Sequence, residues 1–230
     1  MREFIIQRKI ANLRQLLPTN PWWLVVLAVL STAMAVLSVF SHDRPFFSWD
    51  VTIAKWVMDT PGPGVGTLMD VVSLPGHKLA IVGTTLVATI LASKVLGWRA
   101  GLPFLSVLLL TAMNEEFKEV IGRPRPGESI GNKSFPSGHA LCAVLVSGAV
   151  WFSMASKMPK QSHRITVVGI MIAWALLTGF SRIYLENHWP SDVLGAYLLG
   201  GIVLCGMAWA VHALERLPFR AAPPAKGDGS

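Results

Sequence analysis

The sequence predicts an all-α polytopic membrane protein: a six-helix transmembrane bundle with short interfacial helices in its first outer segment. Three observations carry this expectation. Of the 230 residues, 52% are hydrophobic and 14% charged, against about 25% charged in soluble domains. The apolar residues gather into six runs. The twenty Lys and Arg residues are shared unevenly among the segments between those runs, which sets an orientation.

The runs are Trp22–Phe40, Leu79–Leu96, Leu102–Met113, Ala140–Met154, Ile165–Phe180 and Val193–Val211. The first and last are uncharged and near the ~20 residues a spanning helix needs. The third and fifth are short, and each leads into a polar segment (Asn114–Lys118 and Ser181–His188), where the helix is expected to continue into a protein-lined site. The basic leader, with Arg2, Arg8, Lys9 and Arg14, suits a cleavable signal. The first run is too long for one, however, and its small-x-small triplet Ala33-Met34-Ala35 lies inside it, so a retained anchor is expected. One integral membrane domain over residues 1–220 and a disordered tail over 221–230 complete the organisation.

Six spans put both termini on one side. With that side cytoplasmic, the inner segments collect four basic residues in the leader, then Lys94, Arg99, Lys157, Lys160, Arg164, Arg216, Arg220 and Lys226, as the positive-inside rule requires. The outer exceptions concentrate in two loops: Lys118, Arg123, Arg125 and Lys133 in one, Arg182 in the other. The first outer segment, Ser41 to Lys78, holds two amphipathic candidates, with Ile53, Trp56 and Val57 sharing one helical face and Leu68, Val71 and Val72 another. These are expected to lie in the membrane interface.

The composition argues against some functions. The formal charge of +7 is scattered between apolar runs, without the basic stripe that nucleic-acid binding needs. Cys142 and Cys205 sit inside apolar runs with no metal or redox spacing, as small buried hydrophobes do. His42, His77, His163 and His212 belong to no constellation. Arg44 and Arg123 read as headgroup anchors, and Glu115, Glu116 and Glu119 as partners of nearby bases.

Three outer groups remain. "KEVIGRPRP" supplies Lys118 and Arg125, "FPSGH" precedes the fourth run, and "SRIYLENHWPSD" supplies Ser181, Arg182, His188 and Asp192. Arginine forks suit phosphate oxygens. Ser137 and Gly138 fall at a helix N-terminus, where free N–H groups and the dipole favour an anion, and glycine allows close backbone approach. Asp192 lies four residues after His188, so it can fix that imidazole's tautomer and free its other nitrogen as a nucleophile. His139 can protonate a leaving oxygen. The His188/Asp192 pair also has the spacing of metal ligands, but Lys118, Arg125 and Arg182 would repel a cation.

Lys118-x6-Arg125-Pro126, Pro136-Ser137-Gly138-His139 and Ser181-Arg182-x5-His188-x3-Asp192 together resemble the three-part signature of the type 2 phosphatidic acid phosphatases, complete and in order. The resemblance implies a metal-independent phosphatase, without cofactor, acting on a lipid phosphate or diphosphate in the bilayer. By position, His188 would be the nucleophile, Asp192 its orienting carboxylate and His139 the general acid and then base. Lys118, Arg125, Ser137, Gly138 and Arg182 would hold the phosphoryl oxygens; Ser181, Pro126 and Pro136 would support them. The family's soluble vanadate-using haloperoxidases are set aside by the six spans. Polyprenyl (undecaprenyl) diphosphate and phosphatidylglycerol phosphate are the favoured substrates. A phosphotransferase or lipid A phosphatase of the same family is the enzymatic alternative, and a lipid-phosphate binding or transport protein the non-enzymatic one. No protein partner is implied, and the active site would face the periplasm or outer side of the cell (inner) membrane.

Overall fold

The protein is described here by a computed structural model covering residues 22–59, 62, 64–126 and 133–216. The basic leader and the expected disordered tail lie outside the described residues, as does the domain boundary at 220.

Eight α-helices follow one another: α1 Trp22–Asp43, α2 Ser48–Met58, α3 Val65–Ser73, α4 Lys78–Leu96, α5 Trp98–Ile121, α6 Gly138–Ser153, α7 Gln161–Tyr184 and α8 Pro190–Arg216. Short 3-10 turns occupy Leu74–Gly76 and Ala155–Lys157. The six long helices are those expected from the apolar runs, and α2 and α3 fall on the two amphipathic candidates. Five of the six (α1, α4, α6 with its following turn, α7 and α8) are long and apolar enough to cross a membrane. The protein is therefore a multi-pass membrane protein. The remaining one, α5, is 24 residues long. It outruns its apolar stretch at both ends, and its C-terminal part carries Asn114, Glu115, Lys118 and Glu119.

Local chemistry explains where the helices stop. α5 runs through its polar segment until Gly122, whose φ of 70° is left-handed and whose N–H donates to the Lys118 carbonyl at 2.8 Å. Glycine meets that conformation at no steric cost, and Pro124 prevents the helix from resuming. His42 Nδ1 sits 3.0 Å from the Ile121 carbonyl, so this histidine closes the end of α5. Pro190 opens α8 at the position where its missing N–H costs nothing.

The helices alternate in direction, so the α3–α4, α5–α6 and α7–α8 connections meet at one end of the bundle. The α6 helix is the centre: half of its span is buried, against 17–28% for the other four. It packs against α4, α5, α7 and α8, with Ala140, Leu145 and Ala149 fully enclosed. α1 lies along α8, and α2 and α3 rest on α7 at the loop end. Phe135, just before α6, is fully enclosed, and its ring lies where a Cβ on Gly195 of α8 would fall.

The two short helices turn most of their sequence-derived apolar faces outward, and only Val57, which is 2% exposed, needs correction. Trp56 is 69% exposed and Ile53 39% exposed, whereas the residues of α2 turned inward are Asp50, Ala54 and Val57. Likewise Leu68 and Val71 of α3 are exposed while Met69 and Ser73 are buried. The larger apolar residues point away from the bundle because the small ones permit close packing on α7. An outward apolar face is what an interfacial helix offers to lipid.

Two glycines separate these packing effects. Gly195→Ala must displace the Phe135 ring and should lower the thermal midpoint of the detergent-purified protein. Gly169→Ala meets nothing within 4 Å and should hold or raise it, since alanine gains roughly 1 kcal/mol over glycine in an open helix.

Candidate active site

The signature segments converge at the loop end through backbone bonds. The turn after α7 passes through Glu186, a non-glycine residue at φ 54°, and folds back so that the Arg182 carbonyl accepts the N–H groups of Asn187 and His188 at 3.0 and 3.1 Å. Trp189 N–H then donates to Asp192 Oδ2 at 2.8 Å, half of a capping box in which the N3 side chain holds the N-cap amide. Ser137 N–H donates to the Asp192 carbonyl at 3.1 Å, which ties the Pro-Ser-Gly-His turn to α8. Ser134 N–H donates to the Arg123 carbonyl at 2.8 Å, which joins the two ends of the segment 124–133.

His188 is 2% exposed. Its Nδ1 faces Asp192 Oδ2 at 3.5 Å, long for a hydrogen bond but of the kind that tightens when substrate binds. Burial pushes the imidazole pKa down to about 4; the Asp192 carboxylate pulls it upward, and the Arg125 and Lys118 cations push it lower still. At neutral pH His188 is therefore an uncharged imidazole, the form able to act as a nucleophile.

A cavity of about 450 Å³ opens between α4, α5 and the start of α6. Lys118, Arg125, Gly138, His139 and His188 line it, and Ile81, Val82 and Leu108 give it an apolar wall. Lys118 is buried, with its Nζ 2.8 Å from Glu115 Oε1. Glu115 also reaches the exposed Lys78 at 3.2 Å, so it pairs with nearby bases as expected. Arg182 is buried behind the cavity, within electrostatic reach of Arg125 and His139. Ser137 is fully enclosed. Ser137 Oγ, His139 Nε2 and Arg182 Nε are buried without hydrogen-bond partners among the described residues, a grouping that suits an oxyanion acceptor. Ser181 differs: its hydroxyl donates to the Thr178 carbonyl at 2.7 Å and so serves its own helix. Pro136 is enclosed and Pro126 partly buried.

Arg123 is the main departure from the sequence reading. It is no headgroup anchor, since its side chain is 0% exposed. Its Nη1 donates to Asp192 Oδ1 at 2.7 Å and to Ser191 Oγ at 2.6 Å, and its Nη2 to Asp50 Oδ2 at 2.8 Å. Its position among the variable residues of Lys118-x6-Arg125 concealed it. Asp50 is the sole acid between Arg44 and Met58, in line with Ala54 and Val57 on the face of small residues, a pattern that could have marked it as buried. Arg44, by contrast, is exposed, over the Phe40 ring. Two further neighbours of the site lie outside the motifs. Asn114 is buried, neither amide atom having a partner among the described residues. His77 meets the His139 ring edge-on, centroids 5.2 Å apart, while the preceding Gly76 leaves room for that ring. Cys142 and Cys205 are free, Cys142 buried and Cys205 partly so.

Residues 20–216 match the PAP2 superfamily. The chain belongs to that superfamily. Among curated relatives it is 37% identical over 93 residues to phosphatidylglycerophosphatase B of Bacillus subtilis, covering 38% of this chain and 46% of that one. It is 32% identical over 106 residues to an undecaprenyl-diphosphatase of Sulfolobus acidocaldarius, covering 42% and 47%. The chain thus spans about half the length of the curated relatives it matches. Among solved structures, the transmembrane PAP2-type phosphatidylglycerolphosphate phosphatase of B. subtilis superposes with a TM-score of 0.70 at 26% identity, over 84% of this chain and 98% of that one. Aquifex aeolicus LpxE superposes at 0.53 and 19% identity, over 71% and 96%, which shows a shared fold.

Two predictions follow from the geometry. A Cβ on Gly138 would stand 3.5 Å from both Lys118 Nζ and Asn114 Nδ2, ordinary contacts for the protein alone but within the space beside Lys118. Gly138→Ala should keep the thermal midpoint and weaken protection of the protein by orthovanadate or inorganic phosphate. Histidine-labelled NMR in detergent should show one resonance, absent from His188→Ala, that does not titrate between pH 7.5 and 5; a midpoint near 6.5 would contradict the burial argument. The linked stability is full above pH 6.5 and falls as pH drops toward about 4, because the unfolded imidazole binds its proton first.

Proposed function

We propose that this protein is a metal-independent lipid phosphatase that hydrolyses a phosphomonoester or diphosphate headgroup through a phosphohistidine. The observation that carries this reading is the single cavity lined both by His188, His139, Lys118 and Arg125 and by the apolar Ile81, Val82 and Leu108. Such a lining suits a phosphate on a long hydrocarbon body.

The proposed roles follow from the placement. The lipid enters sideways with its chain against the α4–α5 wall and its phosphate among Lys118, Arg125, Arg182, the Ser137 hydroxyl and the Gly138 N–H. Neutral His188 attacks phosphorus through Nε2, while Nδ1–H donates to Asp192. The negative charge of the bound phosphate lets His139 take up a proton from water, and as the P–O bond to the lipid breaks His139 gives that proton to the leaving oxygen. Asp192 stabilises the positive charge on the phosphorylated ring. Water then attacks phosphorus, His139 takes the water's proton, the P–N bond breaks and inorganic phosphate leaves with His188 neutral again. Charge neutralisation and positioning carry most of the catalysis in phosphoryl transfer. The cations around the site disfavour a divalent metal.

The activities for which the B. subtilis and S. acidocaldarius relatives are named favour phosphatidylglycerol phosphate and undecaprenyl diphosphate as substrates. The distribution of Lys and Arg supports cytoplasmic termini and a site on the periplasmic or outer face.

Detergent-purified protein should release phosphate from one or both lipids in excess EDTA. His188→Ala should abolish release, and His139→Ala should lower it roughly 10²–10⁴-fold. Loss in EDTA would restore a metal, and label retained on lipid would indicate a transferase. A cysteine replacing the exposed Glu186 should react with an impermeant maleimide from outside intact cells.

A further inference from the structure

Behind Asp192, on the side away from the cavity, lies a closed group of charges contributed by three separate parts of the chain. Asp50 from α2, Arg123 from the α5–α6 connection and Asp192 from α8 are each 0% exposed. Arg123 has a partner on each of its three nitrogens: Nε on the Pro45 carbonyl at 3.1 Å, Nη1 on Ser191 Oγ and Asp192 Oδ1, and Nη2 on Asp50 Oδ2. Its guanidinium also lies over the Phe47 ring, 5.1 Å from the centroid. Asp50 holds the other side, accepting Ser191 N–H on Oδ1 at 2.8 Å, and Ser191 Oγ–H and Phe47 N–H on Oδ2 at 2.7 and 3.0 Å.

The consequence for Asp192 is a division of labour between its oxygens. Oδ1 is taken by Arg123, while Oδ2 receives Trp189 N–H and faces His188 Nδ1. A carboxylate anchored by only one oxygen could turn about its Cβ–Cγ bond; this one cannot. The charges also count. One cation between two carboxylates leaves a net negative charge toward His188, whereas Arg123 and Asp192 alone would form a neutral pair.

We propose that Arg123 and Asp50 are positioning residues for phosphoryl transfer: Arg123 aims Asp192 at His188, and Asp50 holds Arg123 and keeps the group net negative. The proposal rests on the phosphohistidine reading above. The other charged or titratable groups facing His188 are Lys118 of α5, Arg125 of the α5–α6 connection, His139 of α6 and, through His139, Arg182 of α7. They belong to the phosphate side and are left unchanged in the test.

The test uses the full chain in detergent, with phosphate release from phosphatidylglycerol phosphate and undecaprenyl diphosphate and the histidine NMR midpoint of His188 as separate readouts. Arg123→Gln and Asp50→Asn should each lower kcat roughly 10- to 100-fold, the range for outer partners that orient a reacting group. KM should stay within about threefold, since neither residue touches substrate. The His188 midpoint should rise by about half a pH unit or more in Arg123→Gln, where a cation is lost, and should fall in Asp50→Asn, where an anion is lost. Arg123→Lys should return the midpoint toward wild type but recover kcat only in part, because one ammonium cannot span Asp50 and Asp192 as the planar fork does. Wild-type kcat in these variants would overturn the proposal. So would a loss of kcat with an unmoved midpoint, which marks a merely structural role. If Arg123→Gln does not fold, Arg123→Lys and Asp50→Asn decide by the same measures. Failure of wild type to release phosphate from either lipid, or full activity in His188→Ala, would overturn the underlying reading and this one with it. Phosphate release lost in His188→Ala but unaffected in the Arg123 and Asp50 variants would overturn this one alone.

Discussion

The loop end of this bundle is organised by one electrostatic constraint: several cations must be held close together where water is scarce. Like charges repel and each loses hydration on burial, so every buried cation needs a compensating group. Lys118 has Glu115, and Arg123 has both Asp50 and Asp192. Arg125 and Arg182 have no carboxylate partner of their own among the described ion pairs. The cations thus fall into two kinds. Arg123 is closed off, with a partner on each of its three nitrogens, which makes it architecture. Lys118 and Arg125 line the cavity, where an anion would complete their compensation.

This division explains the spacing of the signature. Between Arg182 and His188, the chain must leave α7, reverse through the left-handed Glu186 and bring two N–H groups back onto the Arg182 carbonyl. Five intervening residues accomplish that. Between His188 and Asp192, the start of α8 places the carboxylate where it caps its own helix and faces the imidazole. The Pro-Ser-Gly-His turn is joined to the same unit by Ser137 N–H on the Asp192 carbonyl. The three motifs are one assembly whose internal distances are set by backbone bonds, with the proposed catalytic side chains attached to the fixed points.

How much of this was legible in the sequence depends on the kind of information each residue carries. The six long helices were visible because lipid demands runs of apolar residues, and the convergence of Lys118, Gly138, His139 and His188 on one cavity was visible because their motifs sit at helix ends on one side. The extension of α5 beyond Met113 was foreshadowed by its polar segment, but its stopping point depended on Gly122. What stayed hidden was long-range pairing. Nothing local distinguishes Arg123 from a surface arginine, and its partner Asp50 is 73 residues away in sequence. Val57 of α2 was placed on the wrong face for a related reason. Periodicity identifies an apolar stripe but not whether lipid or protein covers it, and near a bilayer both are apolar. His42 and His77, without motif partners, also found their neighbours through tertiary packing alone.

The tie between Asp50 and the start of α8 has a consequence for exchanging parts among superfamily members. The segment before α4 looks modular: it lies outside the signature and packs at the loop end of the bundle. Transplanting it without its counterpart would nevertheless strip a buried guanidinium of one carboxylate and leave the Ser191 amide without its acceptor. Breaking such an enclosed pair commonly costs about 3–5 kcal/mol, a large part of a typical protein's stability. The heritable unit therefore comprises α2, the Arg123 turn and the head of α8, three pieces that chimeras would have to move together.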